Sequence, residues 1–323
     1  MIKPPKSFIE SNAAFRCLAK ASDKRVFFLE DLSRNHLFLD RFEWSDYLFI
    51  QFGWHSHEWR YQYEMDYILQ HKNIDVKKII ILGATEDECT AAKKVGFDSI
   101  YVNHNCWLDE NLFKLSEVPF EQRLYELVLV TRPEGWKRPY LAKLIDRLAI
   151  IKGHNFRKDD YFDLSSLSPQ YLNESRISPT QVHEVISNSL CGGIFSEEEG
   201  ACYSSSEYLL SGLPVISTQS RGGRDKWYNS YNSIIVNPDE LSVKSGVDFL
   251  IGRLLSGLID SEKIRSSHIK LSQFYRQNFE VKLREILGSE QNKFLPPSGL
   301  GGMFKHKMID YVHAIAVDEV FQR

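Results

Sequence analysis

Two glutamates and two basic residues in the middle of the chain, between residues 132 and 207, have the types and spacing that chemistry on a sugar would need. Glu199 and Glu207 lie eight positions apart in FSEEEGACYSSSEYLLSGLP, and Arg132 and Lys137 lie upstream in TRPEGWK. A carboxylate accepts hydrogen bonds from hydroxyl groups, which suits Glu207 to a ribose diol and Glu199 to a transferred hexose. Two neighbouring cations can hold a diphosphate. The four residues therefore favour a site for a sugar joined to a nucleoside diphosphate.

The basic pair follows a predicted strand. Residues 125–130 (YELVLV) form an apolar run typical of a buried parallel strand. Arg132 and Lys137 would then project from its carboxyl end, where open α/β sheets bind ligands. Pro139 suits a first helical turn, and the apolar spacing that follows predicts a helix over 139–148. An acidic doublet, Asp159-Asp160, lies in a polar segment predicted as a surface loop.

The glutamates are predicted to flank a turn and to enter a helix. Residues 191–195 predict a short strand, and a helix is expected over 201–211, after Gly200. Glycine allows the backbone to approach a ligand closely. The first N–H groups of that helix, those of Ala201 and Cys202, would attract an anion.

Residues 125–239 resemble the nucleotide-binding half of the GT-B glycosyltransferases, specifically their retaining "group 1" type. Arg132 and Lys137 match the basic pair of that family, and Glu199 and Glu207 match its two glutamates. Its later Gly-Gly loop and its Asn-Pro-Asp turn are matched at 222–223 and 237–239. Three features depart from the pattern: Ala201-Cys202 replaces an aromatic-Gly pair, Arg224 displaces the acidic residue to Asp225, and the first domain is short.

The resemblance implies an α/β protein of two Rossmann-like domains, the GT-B fold. An N-terminal acceptor-side domain is expected over 1–122 and a nucleotide-sugar domain over 123–286. Residues 287–323 would form a loop and a terminal helix, near 307–321, that crosses back to the first domain. Alternating strands and helices in the first domain indicate βαβ units. The predicted strands are 25–30, 47–52, 78–82 and 99–103, and the predicted helices are 59–70 and 87–95.

The implied activity is transfer of a sugar from a nucleotide-diphosphate donor to a hydroxyl acceptor, with retention. The acceptor could be a glycan, a lipid-linked molecule or another hydroxyl compound. The resemblance assigns catalysis to Arg132, Lys137 and Glu199, and donor binding to Gly200, Ala201, Cys202 and Glu207. The donor is a substrate, so no cofactor is expected. Two alternatives stay open: a GT-B relative that binds the nucleotide sugar without transfer, as a scaffold, and a sugar-nucleotide epimerase.

Two histidines in the first domain are candidates for the acceptor side. His55 and His57 follow a predicted strand at alternate positions, so they would face the same way. They could form a metal site with Glu58, contact the sugar or acceptor, or serve a structural role. The sequence offers no Asp-x-Asp pair of the kind that holds a metal against a phosphate, so we expect metal-independent chemistry.

The charge balance and the cysteine content of the chain limit the classes of binding partner and the cellular compartment that we expect. The 323 residues carry 40 basic and 43 acidic side chains, a formal net charge of −3, which gives no general attraction to nucleic acid. The five cysteines are scattered without a CxxC pair, as expected for a reducing cytoplasm. No signal peptide or membrane span is expected, and peripheral contact with the inner membrane is left open.

Overall fold

The described chain forms two compact units that alternate along the sequence. The computed structural model describes residues 15–30, 32, 39, 42–57, 59–71, 74–154 and 156–294. One unit comprises residues 1–108 and 272–323, and the other comprises residues 109–271. These bounds differ from the predicted divisions after 122 and after 286. Residues 109–122 join the second unit, within which they are hydrogen-bonded: the Ser116 hydroxyl donates to the Ser187 carbonyl at 2.8 Å.

The first unit contains a five-stranded sheet with strands in sequential order. Its strands are β1 (Phe15–Lys20), β2 (Arg25–Glu30), β3 (Tyr47–Gln51), β4 (Ile79–Gly83) and β5 (Asp98–Tyr101). The order is β1-β2-β3-β4-β5, with β1 antiparallel to β2 and the other pairs parallel. The sequence predicted β2 to β5 to within two residues at each end, and it did not predict β1.

Two helices of the first unit follow the predicted bounds closely. They are α1 (Trp59–Leu69) and α2 (Glu86–Lys94). The Thr85 side chain caps α2 by accepting from the Glu88 N–H, and lysines lie in its last turn, where they complement the helix dipole. The core of this unit is apolar, and the strands β2, β3 and β4 are buried along most of their length, as is typical of strands covered on both faces. Its central members include Phe27, Leu29, Ile50, Ile81, Tyr61 and Met65.

The second unit contains a six-stranded parallel sheet with a topological switch. Its strands are β6 (Tyr125–Thr131), β7 (Leu148–Lys152), β8 (Tyr171–Leu172), β9 (Ser189–Ile194), β10 (Val215–Thr218) and β11 (Ser233–Val236). The order is β11-β10-β9-β6-β7-β8. The chain builds outward from β6 to β8 and then returns to add β9 on the other side of β6. The carboxyl ends of β6 and β9 therefore border the crevice in which doubly wound sheets bind ligands.

The remaining helices are α3 (Pro179–Ser187), α4 (Tyr203–Leu210), α5 (Glu240–Leu255), α6 (Ser261–Leu287) and α7 (Gln291–Phe294). At the start of α3, Ser178 and Gln181 form a reciprocal capping box. No helix in the described part of the chain is both long and apolar enough to cross a bilayer.

The prediction of a helix over 139–148 is wrong. A short 3-10 helix covers Pro139–Ala142, and β7 begins at Leu148. The apolar spacing in this segment does not come from a helix. Leu141 and Ile145 are buried residues of a turn, whereas Leu148 is the first residue of a buried strand that pairs with β6. Periodicity over so short a stretch does not separate these two solutions.

The second half of α6 packs within the first unit. Arg276 donates to the carbonyls of Cys106 at 2.6 Å and Leu108 at 2.9 Å, and Phe279 packs against Phe49 and Trp107. This explains why the division falls inside the helix rather than after residue 286. The predicted loop at 287–302 begins with helical turns through Phe294, and the predicted terminal helix lies outside the described residues.

Candidate active site

The carboxyl ends of β6 and β9 border an open cleft of about 290 Å³. Its walls combine the last residues of both strands with the loops that follow them. The lining residues are Leu129, Val130, Thr131, Lys137, Pro139, Gly193, Ile194, Phe195, Ser196, Glu199 and Cys202. Three predicted site residues thus meet at one cleft, Lys137 from the loop after β6, and Glu199 and Cys202 from the turn after β9. Arg132 and Glu207 are not among these lining residues.

Lys137 and Glu199 form the central ion pair of the cleft. The Lys137 Nζ donates to both carboxylate oxygens of Glu199, at 2.7 Å to Oε1 and 2.5 Å to Oε2. Only 14% of each side chain is exposed. In this structure the ammonium and the carboxylate are therefore paired with each other. An anion that enters the cleft would compete with Glu199 for the ammonium. A sugar hydroxyl would compete with Lys137 for the carboxylate.

The pKa of Glu199 is lowered from its usual value. Burial alone would raise this pKa, but the charge of Lys137 and the hydrogen bonds from Lys137 and Ser196 outweigh burial. The Ser196 hydroxyl donates to Glu199 Oε2 at 2.6 Å. Glu199 is therefore a carboxylate at neutral pH, able to accept hydrogen bonds but not to act as an acid.

Arg132 lies beside the same loop with different partners. Its Nε is 3.2 Å from Glu134 Oε2, and 40% of its side chain is exposed. Its guanidinium carbon lies 5.2 Å from the centre of the Trp136 ring. Arg132 thus follows the strand as predicted, and its guanidinium is partly exposed beside Glu134 and the Trp136 ring.

The turn that carries Glu199 is held from below by a buried arginine. Arg224 has 0% exposure, and it donates to the carbonyls of Ser196 at 2.9 Å and Thr218 at 2.6 Å. It also approaches the Ser196 hydroxyl at 3.2 Å. Arg138 adds a bond to the Phe195 carbonyl at 2.6 Å. The two guanidiniums satisfy carbonyls that the ends of β9 and β10 leave without strand partners.

The Gly222-Gly223 loop packs directly on this turn. The Gly223 N–H donates to the Gly200 carbonyl at 2.8 Å, and the Glu199 N–H donates to the Arg221 carbonyl at 3.1 Å. Gly222 has φ +114°, and a Cβ there would lie 1.8 Å from the Glu199 carbonyl oxygen. Only glycine allows this approach, which explains the Gly-Gly pair in physical terms.

Gly222→Ala is therefore expected to destabilise the protein by about 2–4 kcal/mol, because it combines a positive φ with a backbone clash. Gly252→Ala is the matched control: Gly252 lies inside α5 with nothing within 4 Å of its added Cβ. That control should gain about 0.5–1 kcal/mol. Denaturant unfolding of both variants measures the difference, and equal midpoints would contradict the packing described here.

The helix after the turn begins later than predicted. It opens at Tyr203 rather than Ala201, with Cys202 as its N-cap at φ 57°, in the left-handed region. Ala201 is buried. Cys202 stands where the GT-B pattern that the sequence resembles has glycine, and its positive φ gives the physical reason for a glycine there. Burial and the charge of Glu199 raise the pKa of the Cys202 thiol to about 12, so the thiol is not an active nucleophile at neutral pH.

Helix α4 is fastened to the end of β6. The Val130 N–H donates to the Tyr208 hydroxyl at 2.7 Å, and the Ser204 hydroxyl donates to the Val130 carbonyl at 3.2 Å. Gly192 in β9 makes room for this contact, because a Cβ there would lie 2.1 Å from the Tyr208 ring. The segment after β9 is thereby tied to the end of β6. Glu207 lies on the same helix and is 4% exposed, and its contact with a ribose stays a prediction.

The two histidines belong to the first unit. His55 is buried and His57 is exposed, with ring centres 6.1 Å apart. Glu58 lies outside the described residues, and a role for this group stays a prediction. Within the described residues, no three His, Cys, Asp or Glu side chains are grouped as metal ligands.

Sequence reasoning missed five residues that shape the site: Glu134, Trp136, Arg138, Ser196 and Arg224. Only the displaced position of Arg224 gave a signal in the sequence. Asp160 was assigned to a surface loop, yet its Oδ2 accepts from the Trp136 N–H at 3.2 Å, so it supports the loop of the cations.

Comparison with known proteins shows likeness in structure but not in sequence. No protein-family model and no curated protein sequence matches the chain. The structure of Anabaena Alr3699/HepE in complex with UDP is 15% identical, with a TM-score of 0.52 over 76% of this chain and 72% of that chain. A glycosyltransferase from Rickettsia africae is 15% identical, with a TM-score of 0.54 over 81% and 77%.

TarM gives a TM-score of 0.58 at 12% identity, covering 82% of this chain but 55% of its own length. The chain thus spans about half of TarM. At such identities the likeness concerns the fold. The two Rossmann-like units, with a cleft at the switch point of the second sheet, therefore belong to the GT-B fold of these glycosyltransferases.

Proposed function

We propose that the protein is a glycosyltransferase that moves a sugar from a nucleotide-diphosphate donor to a hydroxyl acceptor, with retention. The observation that carries this proposal is the Lys137–Glu199 pair in the cleft between the ends of β6 and β9. It places a cation for a leaving phosphate beside a carboxylate for sugar hydroxyls, in the fold of known glycosyltransferases.

The proposed roles follow from the charges. Lys137 and Arg132 would neutralise the negative charge that grows on the departing diphosphate. Glu199 would orient the sugar, and Glu207 would bind the ribose. The departing phosphate itself would take the proton of the incoming hydroxyl on the same face, so that no separate protein base is required. NMR of the anomeric proton in the product would test retention, and an inverted product would contradict it.

A panel of nucleotide sugars tests the function. UDP-sugars come first, because UDP is bound in the HepE structure. A donor at a hundred times its dissociation constant should stabilise the protein by about 2.7 kcal/mol. Slow release of nucleoside diphosphate without acceptor separates an enzyme from a binding scaffold, and analysis of the sugar nucleotide identifies an epimerase. Stabilisation without any turnover, with or without acceptors, would favour the scaffold.

We further propose that the reaction needs no divalent metal, since protein cations can meet the diphosphate. Turnover is expected to be unchanged in an excess of EDTA. Loss of turnover that magnesium or manganese restores would contradict this proposal, and would return attention to His55, His57 and Glu58 as ligands.

A further inference from the structure

The ring of Trp136 lies against both cations of the site. The Lys137 Nζ lies 4.2 Å from the ring centre, and the Arg132 guanidinium carbon lies 5.2 Å from it. We propose that Trp136 is a positioning residue, a shared aromatic platform that holds Lys137 and Arg132 ready for the diphosphate. This inference rests on the proposed function and extends it to a residue that does not itself need to touch the donor.

The platform attracts both cations. The face of an indole ring carries negative charge density, and it binds ammonium and guanidinium groups more strongly than other aromatic rings do. Lys137 is thereby held from two sides, by the ring and by the Glu199 carboxylate. When a diphosphate displaces Glu199, the ring remains in place. The ammonium then changes partner without losing its position.

The platform is itself fixed by two carboxylates. The Trp136 indole N–H donates to Glu134 Oε2 at 2.7 Å, and its backbone N–H donates to Asp160 Oδ2 at 3.2 Å. Glu134 is fully buried, and its other oxygen accepts from the Arg157 N–H at 2.8 Å. Glu134 also pairs with Arg132, so one buried carboxylate anchors both the ring and one of the cations.

This arrangement lowers the entropy cost of binding an anion. Lysine and arginine side chains have large rotamer freedom, which is lost when they are fixed on a ligand. A ring that already restrains both side chains removes part of that loss. Replacing the ring with an aliphatic side chain should therefore weaken binding of a diphosphate through the cations, about tenfold on the scale of a partly buried cation–ring contact.

The test is calorimetric titration of the full chain with inorganic pyrophosphate, which presents the diphosphate group of the donor without its base or sugar. W136L should bind pyrophosphate about tenfold more weakly than the wild type. W136F keeps a smaller aromatic ring and loses the indole N–H bond to Glu134, so it should recover part of the affinity. W136M supplies a second ring-free variant should W136L fail to fold.

Coupling to Lys137 distinguishes positioning from general damage. In the K137A background, W136L should cause a smaller further loss than it does in the wild type, because only Arg132 is left for the ring to restrain. If W136L binds pyrophosphate as tightly as the wild type while K137A binds it more weakly, the inference about Trp136 is overturned and the proposed function is not. Full additivity of the two changes, or a W136F as weak as W136L, would overturn the inference as well. A wild type that binds neither pyrophosphate nor any nucleotide sugar would overturn the proposed function along with it.

Discussion

Replacing Lys137 by alanine is expected to reduce sugar transfer by at least a hundredfold. The ammonium lies in the cleft at the carboxyl ends of β6 and β9, where charge would develop on the leaving diphosphate. Removing one preorganised donor to such a charge costs about 2.7–4 kcal/mol of barrier in enzymes. Affinity for the nucleoside diphosphate should fall about tenfold or more, on the scale of a charge-assisted hydrogen bond. Initial rates and calorimetry measure the two effects.

The matched control is Lys143→Ala, because Lys143 is an exposed lysine of the same segment outside the cleft lining. It should transfer at the wild-type rate. The variant Lys137→Ala also leaves Glu199 without its cation, so part of any loss could reflect instability. Lys137→Ala with Glu199→Gln removes both charges and should regain stability while transfer remains lost. Wild-type transfer by Lys137→Ala would refute the proposed role.

Glu199→Gln is expected to separate binding from transfer. The glutamine cannot pair with the Lys137 ammonium as a carboxylate does, so the bare nucleoside diphosphate meets less competition. The nucleoside diphosphate should bind to Glu199→Gln at least as tightly as it binds to the wild type. Transfer should fall about a hundredfold, because the sugar loses its charged acceptor. Glu207→Gln should instead weaken the binding of the bare nucleotide, because Glu207 is proposed to bind its ribose.

Calorimetry with UDP, alongside initial rates, distinguishes these patterns, and equal losses of UDP affinity in both variants would contradict the division of roles.

The pH dependence of stability gives a second test of Glu199. The folded-state pKa of Glu199 is lowered, so its contribution to stability is full above the unfolded glutamate pKa, about 4.3, and is lost as the pH falls through the lower folded value. The stability difference between wild type and Glu199→Gln should therefore be constant near neutral pH and shrink in acid.

The sequence by itself determined most strands and the polar groups of the site. Short apolar runs such as 25–30 and 125–130 became β2 and β6 because a strand buried on both faces needs continuous apolar side chains. Ser178 and Gln181 began α3 because a capping box is a local interaction. Lys137 and Glu199 were identifiable because their types and their positions after strands are sequence properties.

Only the tertiary structure decided which of these groups meet. The Lys137–Glu199 pair exists because the crossover places β9 beside β6, and no local pattern specifies that order. The roles of Arg224 beneath the glutamate turn and of Trp136 beside the cations were not predicted either, because they depend on contacts across the sheet and between loops. The segment after Pro139 became a 3-10 turn and a strand because pairing of Leu148 and its neighbours with β6 prevailed over a weak helical spacing.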